Sequence, residues 1–168
     1  MATTTSTTAS STSCTTNAHD LDEAAKLQAR LLSQNNNTSN DKASSSSSSI
    51  SIPSVSIDEG AHKYVLITAT APPSSPQGKQ RTFIYSKKGA SYHRNVAEFL
   101  LPQLESSGYS EIRILGGGRI LRDDEEKKVH IFGYSYGFGR ADHVVAKEVV
   151  EKSGMFEGYA VTWSNQGY

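Results

Sequence analysis

Every glycine and every aromatic residue of this chain lies at or beyond Gly60. The first 59 residues hold neither. Without aromatics, and with 12 Ser or Thr in residues 1–17, the leading segment cannot bury enough apolar surface to offset the entropy of ordering it. Residues 33–49, SQNNNTSNDKASSSSSS, read the same way. Residues 1–57 are therefore expected to be a largely disordered tail, and residues 58–168 one folded domain. Within the tail, residues 20–34 (DLDEAAKLQARLLSQ) place Leu21, Ala24, Leu27 and Leu31 at helical spacing. Alone such a helix is marginal in water. It reads as a transient helix or as a docking or targeting helix.

Charge follows the same division. Residues 60–168 carry 14 Lys or Arg against 11 Asp or Glu; residues 1–59 carry 3 against 6. The folded part is mildly basic, which suits an anionic ligand and is too little for a strong phosphate-backbone binder. The single Cys14 excludes a disulfide framework and a cysteine zinc site. The chain holds no run of apolar residues long enough for a membrane span. Its start has no secretory apolar region, so the expected compartment is the cytoplasm. Organelle import through the Ser/Thr-rich start is the alternative.

Local patterns place the elements. Residues 63–71 (KYVLITATA) and 81–86 (RTFIYS) are strands. A helix follows, capped by Ser91, with Val96, Leu100 and Leu104 on one face and Gly108 as terminator. Pro102 is expected to kink or split it. Residues 111–121 (EIRILGGGRIL) and 129–138 (VHIFGYSYGF) are strands joined by the charged turn DDEEKK, a candidate hairpin. Asp142 caps a second helix that Gly154 stops, and residues 159–163 (YAVTW) form the last strand. The expected fold class is α+β: a single mixed β-sheet of five to six strands with two helices packed on it, preceded by the tail.

Three features carry chemistry. Gly116-Gly117-Gly118-Arg119 costs conformational entropy inside a strand. It fits either a close backbone approach, with Arg119 delivering donors to an anion, or a bulge. The run from Gly133 to Gly139 (GYSYGFG) fits an anion-binding nest, a glycine-rich strand end with aromatic anchors, or a stacking surface for nucleic acid. His93 falls in the first turn of a helix, where the dipole favours neutral imidazole. It is a candidate general base or a surface or core histidine. No catalytic-serine, P-loop or zinc-protease motif occurs.

Taken together, residues 60–168 resemble the protein-histidine phosphatases of the Janus family. The resemblance rests on KYVLI at 63–67, Tyr92-His93, LGGGRI at 115–120, Lys127-Lys128, His130, Gly133-Tyr134-Ser135, His143 and VTWSNQGY at 161–168, in that order. It implies metal-independent hydrolysis of phosphohistidine, and to some extent phospholysine, in proteins. It implies that His93 is catalytic and that Lys63 binds the substrate. Arg119 and the backbone of Ser135, Tyr136 and Gly137 are implied to hold the phosphate. The expected partners are phosphohistidine proteins, with no cofactor, no metal, no nucleic acid and no membrane, and the chain is expected to act as a monomer. The competing readings are a phosphate- or phosphohistidine-binding module without turnover, and an RNA-binding sheet using Tyr134, Tyr136 and Phe138. His130, between Val129 and Ile131 on a strand, is expected to pack rather than react.

Overall fold

The computed structural model describes residues 18–36, 51–73, 75 and 80–167. The Ser/Thr-rich start and the 37–50 stretch lie outside the described residues. In chain order the elements are α1 (Ala18–Asn36), β1 (Val55–Ile57), β2 (Gly60–Thr70), β3 (Gln80–Ser86), α2 (His93–Ser106), β4 (Ser110–Asp123), β5 (Lys128–Phe132), α3 (His143–Lys152) and β6 (Ala160–Trp163). One mixed sheet runs in the order β1-β3-β2-β4-β5-β6. Its two outermost pairings, β1 with β3 and β5 with β6, are parallel; the inner pairings are antiparallel.

Strand alternation divides the core in two. Val65 and Ile67 face α2 and pack with Val96, Leu100, Leu101 and Leu104. Tyr64 and Leu66 face α3 and pack with Ala146 and Val150. The expected mixed sheet is present with six strands. The DDEEKK turn does close a β4–β5 hairpin: Asp123 pairs with Lys128, and its carboxylate accepts from the amides of Glu125 and Glu126. Asp142 caps α3 by accepting from Val144 and Val145. Gly108 ends α2 at a positive φ of 77°, which only glycine adopts without strain.

Residues 18–36 form α1 and residues 55–57 form β1, so three helices accompany the sheet. Ile52, Val55 and Ile57 are buried because β1 completes the apolar edge beside β3. The α2 cap is Tyr92, whose N–H donates to Asn95 Oδ1 at 3.1 Å, in place of Ser91. Pro102 lies within an unbroken α2, on its exposed side. Finally, β5 stops at Phe132, because Gly133 (φ 71°) turns the chain out of the sheet. Residues 133–141 form a loop instead of the expected strand end.

Helix α1 lies across the α2 face. Ala24 and Leu31 are buried there and Leu27 is packed against the same core, while Leu21 points to solvent. Arg30 bonds Glu105 at 2.7 Å, and Asn35 donates to the Ile112 carbonyl.

A buried aliphatic side chain contributes about 1.5–3 kcal/mol. Removing residues 51–57 in addition to 1–50 therefore lowers the melting temperature by a further ~10 °C or more. Circular dichroism melts of the two shortened chains measure the difference.

Candidate active site

The glycine triplet is where the site is built. A Cβ at Gly116 would lie 2.6–2.8 Å from the backbone of Arg140 and Ala141. One at Gly117 would lie 2.6 Å from the Tyr64 carbonyl, 2.9 Å from His93 Cδ2 and 3.3 Å from Ser135 Cβ. One at Gly118 would meet the Phe132 carbonyl at 2.6 Å. The triplet combines a close backbone approach with a bulge. Backbone approaches closely at all three, and the β2–β4 register slips between Leu66–Gly116 and Ile67–Ile114, leaving Leu115 bulged outward.

The 133–141 loop is stitched to this bare strand. Gly117 N–H donates to the Gly139 carbonyl at 3.0 Å, and Ala141 N–H to the Gly117 carbonyl at 3.2 Å. Within the loop, Gly139 N–H donates to the Ser135 carbonyl and Ser135 N–H to the Gly139 carbonyl. The Phe138 amide donates to Ser135 Oγ at 3.2 Å. Tyr136 and Gly137 form the tip of this tight turn. Ser135 is buried, whereas Tyr136 is exposed and tilted against Tyr134 at 5.0 Å.

His93 is the first residue of α2 and is buried. Its Nε2 lies 2.9 Å from the Gly118 carbonyl. A carbonyl only accepts, so Nε2 carries the proton and donates. The basic lone pair of neutral His93 is then on Nδ1. Burial is the main reason its pKa is lowered to about 4, with Lys63 and Arg119 adding repulsion against the bond to Gly118. The imidazole is neutral at pH 7.

Lys63 and Arg119 are register partners across β2 and β4. Like charges directly opposite on one sheet face repel. Burial, and then Arg119, push the Lys63 pKa down. An anion between the two cations relieves this cost. Arg119 reaches the Ala61 carbonyl through one terminal nitrogen at 3.4 Å, while its buried Nε has no partner among the described residues.

Strand alternation sets Lys63, Arg119 and Gly117 on the α2 face, and the contacts at Gly117 bring in His93 and Ser135. The residues expected to act together thus share one face, with Tyr136 and Gly137 on the loop beside it. His130 bonds Thr162 Oγ1 at 2.8 Å and stacks on Phe132. His143 belongs to the other face, buried beside Tyr64 and Trp163. The Gly118 carbonyl, which selects the His93 tautomer, carries no side-chain signal in the sequence. Among the described residues no three of His, Cys, Asp and Glu gather as a metal-binding group. No helix among them is long and apolar enough to cross a membrane.

The Janus/Ocnus family (Ocnus) model matches residues 49–160. The chain belongs to the Janus/Ocnus family. It is 38% identical over 120 residues to a 14 kDa phosphohistidine phosphatase from Sus scrofa, covering 70% of this chain and 93% of that protein. The Homo sapiens 14 kDa phosphohistidine phosphatase is 35% identical over 120 residues, covering 70% of this chain and 94% of its own length. Sex-regulated protein janus-B from Drosophila teissieri is 30% identical over 116 residues, 69% of this chain and 80% of its own. The family match begins after α1 ends.

The lowered His93 pKa has a stability consequence. Between about pH 6.5 and 4 the unfolded chain binds the proton that the folded one refuses. Stability from this residue is complete above pH 6.5 and falls as pH drops toward 4. His93→Gln removes this dependence. Between pH 7 and 5 the unaltered chain loses about 2 kcal/mol more than the variant, read from urea unfolding at both pH values.

Proposed function

We propose that this chain hydrolyses phosphohistidine in proteins without a metal, with His93 as general base on water. The observation that carries the reading is the His93 Nε2–H bond to the Gly118 carbonyl, which leaves Nδ1 as the basic nitrogen of a neutral imidazole beside two facing cations. The named activity of the mammalian relatives supports the same reading.

Water gives one proton to His93 Nδ1 as its oxygen bonds phosphorus. The P–N bond breaks and its electron pair stays on the leaving nitrogen; the substrate imidazole, already protonated on its other nitrogen, departs as a neutral ring. The transition state spreads negative charge over the equatorial phosphoryl oxygens. Lys63 and Arg119 neutralise that charge, in the role a metal takes elsewhere. The turn at Ser135, Tyr136 and Gly137 cradles the phosphoryl group. Tyr136, exposed at the tip, meets the substrate protein. Phospholysine fits the same chemistry, since its leaving amine is protonated as well.

Phosphate release from a phosphohistidine protein, measured in EDTA, tests the proposal. Turnover persists in chelator. His93→Ala loses about 10²–10⁴-fold in kcat with its fold intact. Lys63→Ala and Arg119→Ala each lose roughly 10²–10³-fold. His130→Ala lowers the melting temperature and leaves kcat near normal. A wild-type kcat for His93→Ala overturns the assignment.

The pH profile gives a second check. The acid limb of kcat/KM reports the free-enzyme base. It falls near pH 4, where His93 gains its proton, and not at the ordinary histidine value of about 6.5.

A further inference from the structure

Helix α1 precedes the region matched by the family, yet its first turns lie against the site. Asp20 Oδ1 is 3.5 Å from Arg94 Nε, and the two side chains are only 13% and 19% exposed. Arg94 directly follows His93. The Asp20 carboxylate is also close enough to Lys63 to oppose the lowering of its pKa by burial and Arg119. One turn on, Ala24 is buried against the phosphate-cradle loop. A Cβ at Gly137 would lie 2.7 Å from Ala24 Cβ, so the two backbones leave no room between them. Leu31, with Leu27 beside it, anchors the rest of α1 in the core shared with Phe138 and Ile112. A largely buried carboxylate is thus held near Lys63, one of the cations assigned to bind phosphate.

We propose that α1 is a wall of this active site and that Asp20 is its specificity-determining residue, selecting N-linked phosphoryl groups over phosphomonoesters. The inference rests on the phosphatase reading above. A phosphomonoester enters as a dianion on a neutral leaving oxygen. A phosphoramidate with its leaving nitrogen protonated carries one negative charge less. A fixed carboxylate repels the first more than the second, and a partly buried charge is weakly screened by salt. Lys63 and Arg119 alone favour the dianion; Asp20 cancels part of that preference. Arg94 holds the carboxylate in place, and the Ala24–Gly137 contact holds the helix.

The test compares kcat/KM for a phosphohistidine protein and for p-nitrophenyl phosphate, using the full chain. Two variants are read beside it: Asp20→Asn, and Ala24→Arg, which lifts α1 from Gly137. Each raises kcat/KM for the ester roughly three- to tenfold, mainly through KM, and shifts the phosphohistidine value by about twofold or less. The selectivity ratio falls in both. A purely structural role for α1 lowers both substrates together and leaves the ratio fixed. An unchanged ratio with phosphohistidine turnover intact overturns this inference alone. Absence of phosphohistidine turnover in the unaltered chain overturns the phosphatase reading and this inference with it.

Discussion

The close approach of backbone to β4 at Gly116, Gly117 and Gly118 is the constraint on which the site depends. Any side chain there would collide with main chain from β2, β5 or the 133–141 loop. Because the strand is bare, the loop bonds directly to Gly117 on one side, and His93 closes over it from α2. The bulge at Leu115 sets the register that brings Arg119 opposite Lys63. Three residues that contribute no packing of their own therefore decide where His93, Lys63, Arg119 and the 133–141 loop meet. Their entropic cost is offset by the backbone hydrogen bonds they allow.

Electrostatics at the site follows from that packing. His93 is buried by the loop and faces two cations, so it stays neutral at physiological pH. Its one buried hydrogen bond goes to a carbonyl, which settles the tautomer. Lys63 and Arg119 stand opposite each other in register on β2 and β4. The arrangement is costly when empty and favourable with an anion. Asp20, from a helix outside the family core, pairs with Arg94, the residue that follows His93.

Much of this was legible beforehand. Period-2 alternation located the strands, and Asp142 and Gly108 marked helix ends through local chemistry. The motifs around His93, LGGGRI and GYS pointed to one family, and the family model covers residues 49–160. What failed was local reasoning where a distant partner decides. Val55 and Ile57 are too short a segment to signal a strand, and become one only beside β3. Residues 133–138 look like a continued strand, but Gly133 turns them out of the sheet into a loop. Ser91 looks like the better cap, but Asn95 serves the Tyr92 amide instead.

The sequence by itself determined most of the element types, the two apolar faces of the central strands and the motifs that mark the family. These rest on periodicity, capping and motif chemistry, all short-range properties of the chain. Tertiary structure decided the rest. The stripe of Ala24, Leu27 and Leu31 announces a helix but names no partner; only the slot beside Gly137 decides that it docks. The ionisation of His93 is likewise invisible in sequence, because desolvation and the field of two cations depend on distance through space.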